Sequence, residues 1–130
     1  QKTQGYWDVP PGLPGVGTMF PLILGALKNG RISLESMVSM CSETPAKLFG
    51  LAGKGAVEEG ADADLVLFRE GVTTKLTQEM ITCHCGWSPF LGREVGVPPD
   101  YVMVGGRIAA REGVLMDDLR PGQAVRYANR

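Results

Sequence analysis

Cys83, His84 and Cys85 are three neighbouring residues whose types could readily do chemistry. Cysteine and histidine are common zinc ligands, but a zinc site needs three or four of them at suitable spacing. The Cys-x-Cys spacing is tight, and His84 is the only histidine in the chain. Two cysteines this close are also poorly placed for an ordinary mutual disulfide. We therefore expect a structural role for these residues, with no metal bound and the thiols reduced.

Two aspartates lie in the segment Gly60-Ala-Asp-Ala-Asp64, just before an apolar run. Aspartate beside glycine is typical of turns, because its side chain can bond the nearby backbone. We interpret Asp62 and Asp64 as turn residues. With a single histidine, the sequence also gives no support for a Ser-His-Asp or Cys-His nucleophile.

The segment Val9-Pro-Pro-Gly-Leu-Pro-Gly15 combines prolines, which fix φ, with glycines, which allow positive φ. Such a loop is stiff and leaves peptide groups exposed, so its backbone N–H and C=O groups can hydrogen-bond a ligand. Two other interpretations stay open at this point. The segment could be only a lead-in to the next helix, or a proline-rich ligand for a partner domain.

Two helices must follow this loop. Thr18 is placed to cap the first, Asn29-Gly30 to end it, and Ser33 to cap the second. Apolar residues recur at helical spacing in both, which predicts one apolar stripe on each helix. These residues are Phe20, Ile23, Leu24 and Leu27 in the first helix, and Leu34, Met37, Val38, Cys41, Pro45 and Leu48 in the second. We expect Cys41 to be a buried small hydrophobe, and both stripes to need a barrel or sheet to cover them.

The hydrophobic period changes after the second helix. Thr44 and Pro45 are typical of a helix start and Gly50 of a left-handed helix end. Beyond Gly55, strands are predicted around Val57 and residues 65–68, at residues 80–83, and on both sides of a Gly105-Gly106 hairpin within residues 101–110. Residues 69–77 are predicted to be a turn, and residues 114–116 a further short strand.

Composition limits the classes of partner. The net charge is −1, from 13 basic and 14 acidic residues, so neither nucleic acid nor an anionic membrane is expected. The most apolar stretch, residues 19–27, is too short to span a bilayer. No secretory signal is predicted, and three cysteines favour a reducing, cytoplasmic setting. Because the first methionine is Met19, we expect the chain to be a fragment, a processed piece or the product of an incomplete gene model.

Three segments, in order along the chain, resemble dihydroorotases of the amidohydrolase superfamily. Pro10-Pro-Gly-Leu-Pro-Gly-Val-Gly-Thr-Met19 is similar to the family loop Pro-Pro-Gly-x-Pro-Gly-x-Glu-Thr. The other two are Pro45-Ala-Lys-Leu-Phe-Gly-Leu51, which leads to Gly60-Ala-Asp-Ala-Asp-Leu-Val-Leu67, and Gly86-Trp-Ser-Pro-Phe-Leu-Gly92. The resemblance implies an α/β plus β fold. Residues 1–52 would be the last loop and helices of an incomplete (β/α)8 barrel, and residues 53–130 a small β domain of sandwich type.

The resemblance also implies a function and a site. Dihydroorotases reversibly cyclise N-carbamoyl-L-aspartate to dihydroorotate in pyrimidine biosynthesis. By position, the substrate-contacting backbone would be that of Pro11 and Gly12. The family uses zinc held by histidines outside this sequence, so no metal is expected on this chain alone, and the chain alone is expected to be inactive. Gly17 departs from the family pattern, which has glutamate there. The loss of that glutamate could be only a small local effect at the helix start, but it would affect activity if the glutamate orders the site loop.

The same resemblance leaves alternatives. The chain could be a non-catalytic dihydroorotase-like module that associates with a transcarbamoylase, or part of another cyclic amidase such as an allantoinase or hydantoinase. A missing N-terminal portion and a homo-oligomer are further possible partners of the chain. The loop and the Trp-Ser-Pro-Phe segment favour dihydroorotase over hydantoinase, and less strongly over allantoinase.

Overall fold

Three helices and six short strands make up the computed structural model, which describes residues 5, 12–117, 122–125 and 127. The helices are α1 (Met19–Lys28), α2 (Leu34–Val38) and α3 (Thr44–Phe49). The strands are β1 (Leu65–Leu67), β2 (Thr73–Lys75), β3 (Glu94–Gly96), β4 (Tyr101–Val104), β5 (Arg107–Arg111) and β6 (Val114–Leu115). None of the helices in this described part has the length and apolar run that a membrane crossing requires.

The first helix forms as its apolar stripe predicts. Leu24 and Leu27 are buried with Met37, and Phe20 and Ile23 pack against them. Phe68, at the end of β1, completes this cluster and meets Phe20 edge-to-face with ring centroids 5.8 Å apart. The α1 core therefore joins both helical segments to the first strand.

The second helical segment is continuous, and this corrects the expected start at Thr44. A π-helical turn, Ser39–Glu43, joins α2 to α3, and the residues on either side keep helical φ and ψ. We call residues 34–49 the second helix. Ser33 caps it as predicted, because its side chain accepts a hydrogen bond from the Ser36 N–H. Gly50 ends it with φ of 61°, the left-handed conformation that glycine adopts at low cost.

Cys41 is exposed, so the prediction of a buried cysteine is wrong. The prediction assumed a 3.6-residue period, but Cys41 lies in the π turn, where the wider helix shifts side chains away from the stripe. No residue of this turn is buried. Of the six stripe residues only Met37 is buried, while Leu34, Val38 and Leu48 are exposed.

The β region contains two antiparallel sheets. One has the strand order β1-β4-β5-β6 and the other pairs β2 with β3. The predicted hairpin is confirmed: Val104 pairs with Arg107, and the two glycines between them have φ of 55° and 77°. Positive φ at both central residues matches the twist of the flanking strands. A second tight turn at residues 112–113 joins β5 to β6.

Three other strand expectations are corrected. Residues 80–83 are not a strand, because a 3-10 turn, Gln78–Met80, is followed by irregular backbone. Residues 69–77 are not only a turn, since they contain β2. Val57 lies outside any strand and is exposed.

The smaller sheet is the surface on which α1 lies. A Cβ on Gly96 would lie 2.3 Å from the Leu24 Cβ, and one on Gly25 would lie 2.9 Å from the Glu94 carbonyl oxygen. Glycine is therefore needed at both positions for the helix and strand to approach this closely. These contacts cross the predicted boundary between residues 52 and 53, and that boundary stays a prediction, as do the barrel and the sandwich.

Candidate functional site

The predicted substrate loop leads directly into α1. Gly12 is exposed, with open space around the position of a Cβ, while Pro11 lies outside the described residues. The loop ends in a tight turn in which the Gly15 carbonyl accepts hydrogen bonds from the N–H groups of Thr18 and Met19, at 3.0 and 2.8 Å. Val16, in this turn, is 99% exposed. The described part of the loop thus ends in a turn, with residues 12, 13, 16 and 17 exposed. The binding role of its peptide groups stays a prediction.

Thr18 occupies the cap position of α1, but its side chain does not cap the helix. This corrects the prediction that Thr18 is a side-chain cap. Its hydroxyl instead donates to the Gly15 carbonyl at 3.3 Å, and the residue is buried. Its backbone φ and ψ are already close to helical, which directs the side chain away from the free N–H groups of the first turn. Thr18 therefore fixes the turn between loop and helix.

The Trp-Ser-Pro-Phe segment folds into a second turn. Ser88 is buried, and its hydroxyl accepts a hydrogen bond from the Phe90 N–H at 3.2 Å. Gln78 donates from its amide nitrogen to the Gly86 carbonyl at 2.8 Å, which ties the start of this segment to the preceding 3-10 turn. Trp87 and Phe90 are half-buried, and the Arg93 guanidinium lies 5.5 Å from the Phe90 ring centre.

The two turns meet at a small cleft, although they are separated by about seventy residues of sequence. The cleft has a volume of about 120 Å³. A drug-sized ligand needs roughly 300–1,000 Å³, so this cleft could hold only part of one. Its walls are Pro14, Gly15, Val16, Gly17 and Thr18 on one side, and Met80, Ile81, Thr82, Cys83, Trp87 and Ser88 on the other.

A larger groove, of about 490 Å³, runs beside α1 and β3 and is open to solvent. Leu22, Asn29, Arg31, Arg93 and Glu94 contribute to its walls. We take the smaller cleft as the candidate site, because residues from two of the three family-like segments line it. The larger groove contains none of the residues on which the resemblance depends.

Cys83 and Cys85 lie at the rim of this region with their sulfurs 3.0 Å apart and unbonded. The short spacing, which argues against an ordinary disulfide between them, still brings the two thiols into contact. The shared hydrogen bond raises the pKa of Cys83 and lowers the pKa of Cys85, and a backbone hydrogen bond at Trp87 lowers the Cys85 pKa further. His84, between them, is exposed.

A zinc centre does not fit the described residues. Within residues 12–117 and the short described segments beside them, no three histidine, cysteine or acidic side chains lie close enough to share a metal ion. Cys83 and Cys85 supply two thiol ligands only. We derive no metal-dependent step from this part of the chain.

Asp64 has a structural role, but with different partners from those expected. Its carboxylate accepts a hydrogen bond from the Gly105 N–H at 2.7 Å and also pairs with Lys54. The hydrogen bond from Lys54, followed by that from Gly105, lowers the pKa of Asp64. Asp62 also pairs with Lys54, at 3.0 Å. The aspartate turn thus contacts the β4–β5 hairpin through the Asp64 carboxylate, where the prediction was a hydrogen bond to the turn's own backbone.

Sequence reasoning missed the role of Lys54, which joins both aspartates. The only sequence feature that could have indicated this role is the position of the lysine between Gly53 and Gly55, in a segment that must turn sharply. Gly53 has φ of 69° and Gly55 has φ of 89°, so this lysine sits between two left-handed positions. The distance of ten residues to Asp64 gives no periodic pattern from which the ion pair could be inferred.

Several curated proteins are similar to this chain. The dihydroorotase of Halobacterium salinarum is 40% identical over 106 residues, which are 82% of this chain and 25% of that protein. The dihydroorotase of Methanothermobacter thermautotrophicus is 32% identical over 117 residues, 90% of this chain and 27% of that protein. The chain thus spans about a quarter of the length of the curated relatives that it matches.

Solved structures agree on the fold. The L-hydantoinase (dihydropyrimidinase) of Arthrobacter aurescens superposes with a TM-score of 0.79 at 34% identity, covering 92% of this chain and 27% of that one. A family model described as the amidohydrolase family matches residues 16–109. The matched span includes all three helices, β1 to β4, part of β5 and the cleft residues from Val16 onward. The resemblance found in the three motifs is confirmed. This chain belongs to the amidohydrolase family.

Proposed function

We propose that this chain supplies the substrate-loop and β region of a cytoplasmic, zinc-dependent dihydroorotase of pyrimidine biosynthesis. The observation that supports this most is the cleft shared by the residue 14–18 turn and the residue 80–88 segment. Residues 14–18 and residues 87–88 of these walls belong to dihydroorotase-like motifs, and they come together although they are distant in sequence. The curated dihydroorotases that match the chain give the proposal its substrate class.

In this proposal the chain binds and orients the substrate, and polypeptide outside the chain supplies the metal ligands and the proton-transferring group. The backbone of Pro11 and Gly12 would contact the ring of dihydroorotate. Main-chain contacts depend on loop shape more than on side-chain identity. The turn fixed by Thr18 and the Gly15 carbonyl would set that shape by anchoring the loop to α1.

The exposed apolar face of the second helix supports a larger assembly. Leu48 and Phe49 are 74% and 63% exposed, and Met40 is 55% exposed. Large side chains grouped on one helix are more typical of a covered surface than of a free one. We propose that the rest of the hydrolase barrel, or a second copy of the chain, covers this face. The isolated chain should then bind a hydrophobic dye, and substituting Leu48 and Val38 with lysine should reduce that binding.

A chimera tests the proposed function. The matching quarter of the Halobacterium salinarum dihydroorotase is replaced by this chain, and hydrolysis of dihydroorotate and of hydantoin is measured with zinc. We expect a folded chimera that hydrolyses dihydroorotate, and no turnover by this chain alone. In the chimera, Gly12→Val should raise KM by about two- to tenfold, as expected for one perturbed backbone hydrogen bond. Gly122→Ala is the matched control, since that glycine also has open space around it.

Each outcome has a defined meaning. A folded, zinc-loaded chimera without activity on either substrate would contradict the proposal and favour the non-catalytic module, with a transcarbamoylase as the partner to test. Turnover by this chain alone, or zinc bound to it at two ions per chain, would contradict the assignment of the metal ligands to other polypeptide.

Hydantoinase activity is the second candidate, and a specific observation favours it. The L-hydantoinase of Paenarthrobacter aurescens is 34% identical over 125 residues, which cover 95% of this chain. A chimera with greater kcat/KM for hydantoin than for dihydroorotate would select this candidate. Allantoin is assayed in the same way, because allantoinase is the remaining alternative among the cyclic amidases.

A further inference from the structure

The turn that contains Cys83 and Cys85 brings two exposed thiols together on one side of the chain. The Gly86 N–H donates to the Cys83 carbonyl at 3.0 Å, and Gly86 has φ of 65°. Gln78 holds the Gly86 carbonyl from outside the turn. This arrangement places the two sulfurs 3.0 Å apart, and both residues are exposed to solvent.

We propose that Cys83 and Cys85 form a redox-active dithiol, which exchanges with small-molecule disulfides and closes to an intramolecular disulfide. A disulfide bond is about 2 Å long, so the sulfurs need to approach by only about 1 Å. Exposure lets the oxidant reach them. This inference depends on the pair alone and is independent of the proposed hydrolase function.

The reaction takes place in two exchange steps. The Cys85 thiolate attacks one sulfur of the disulfide RSSR, forming a Cys85–SR mixed disulfide and releasing RS⁻. Cys83 then loses its proton to the released thiolate and attacks the Cys85 sulfur, forming the Cys83–Cys85 bond and expelling the second RS⁻. The protein loses two electrons, and RSSR gains them. The net products are one protein disulfide, RSH and RS⁻.

The shared hydrogen bond affects the two cysteines in opposite directions. It stabilises the Cys85 thiolate and lowers the pKa of Cys85, which makes Cys85 the first nucleophile. The pKa of Cys83 is raised, so Cys83 acts second and resolves the mixed disulfide. Cys41 is also exposed and would react with the same disulfide, so it is replaced by serine in the variants that are tested.

Mass spectrometry of the chain treated with oxidised glutathione tests the proposal. In the Cys41→Ser variant we expect the mass to fall by two hydrogens, with no glutathione retained. In the double variant Cys41→Ser, Cys83→Ser, the serine hydroxyl can still donate to Cys85, but no resolving thiol is present. That variant should retain one glutathione as a stable mixed disulfide.

A second measurement separates positioning by the fold from mere closeness in sequence. Closure of the mixed disulfide should be at least about tenfold slower in urea than in the folded chain, because the turn no longer orients the attacking sulfur. The proposal is overturned if the Cys41→Ser chain retains two glutathiones, if it forms only disulfide-linked dimers at low concentration, or if closure is equally fast in urea. Circular dichroism checks that each variant is folded.

Discussion

The first and second helices differ in how much of their apolar surface is buried by the rest of the chain. α1 buries Leu24 and Leu27 against β3 and the second helix, and its Lys28 forms an ion pair with Glu94 at 2.6 Å. The second helix buries Met37 in the same cluster but leaves most of its apolar stripe exposed. Its described ion pair, between Glu43 and Lys47, lies within the helix and joins it to nothing else.

The difference shows that an amphipathic pattern predicts a buried face without identifying the partner that buries it. α1 finds its partner in β3, about seventy residues later in the sequence. For the second helix, the described part of the chain fully buries Met37 alone among its stripe residues. The two helices therefore contribute unequally to the stability of this chain, and four predictions test that inequality.

The largest effect is expected from truncating a leucine on each helix. Leu24 is 5% exposed and Leu48 is 74% exposed. Leu24→Ala should reduce the free energy of unfolding by about 2–5 kcal/mol, because it leaves a cavity in the core. Leu48→Ala should change it by less than about 0.5 kcal/mol. Urea denaturation followed by circular dichroism measures both, and equal losses would show that the second helix is covered, for example by a second copy of the chain.

The next effect concerns the close approach of α1 and β3. Gly96→Ala would bring its Cβ within 2.3 Å of the Leu24 Cβ, so helix or strand must move. We expect a loss of about 1–3 kcal/mol in the free energy of unfolding, typical of overpacking. Gly122→Ala, where nothing lies within 4 Å, is the control. If the two variants unfold alike, α1 does not pack on β3 as closely as described.

Local sequence patterns correctly predicted the helices and turns whose formation depends on neighbouring residues. The spacing of Phe20, Leu24 and Leu27 predicted α1, and the Gly105-Gly106 pair predicted the hairpin, because side-chain period and backbone freedom are local properties. Ser33 and Gly50 likewise marked both ends of the second helix.

Features that depend on distant or wider geometry were not predictable. The π turn that exposes Cys41 has no sequence period of its own. β2 and β3 are three residues each and pair across about twenty residues, so neither shows an alternating pattern long enough to detect. For the candidate site, the motifs named the two segments that meet at the cleft. The 3.0 Å contact between Cys83 and Cys85 depends on the left-handed conformation of Gly86. A glycine allows that conformation but does not require it.

A smaller, stabilising effect is expected at the start of α1, where the chain departs from the family pattern. α1 has no acidic residue in its first turn, and a Cβ on Gly17 would meet only Thr82, at 3.7 Å. Gly17→Glu should therefore raise the free energy of unfolding by about 0.3–1 kcal/mol through the helix dipole. Gly17→Gln separates charge from backbone stiffening. If the two variants have equal stability, the gain comes from the backbone and not from the charge.

The smallest effect distinguishes the tertiary ion pair of α1 from the internal pair of the second helix. Hydrogen bonds from Lys28, and then from Thr73, lower the pKa of Glu94 from its ordinary value of 4.5. Because the folded value is the lower one, this carboxylate stabilises the fold above about pH 4.5, and the stabilisation is lost as pH falls through the folded value.

Glu94→Gln should therefore lower the urea midpoint at pH 7, and the difference from the unsubstituted chain should shrink as the pH falls below 4.5. Added salt should shrink the difference, since the pair is exposed. Glu43→Gln also removes a carboxylate with a lowered pKa, but one that bonds only within its own helix. It should change helix content more than the midpoint. If both variants shift the midpoint equally at pH 7, the polar contact to β3 does not distinguish α1 from the second helix. The greater stability of α1 then comes from apolar packing alone.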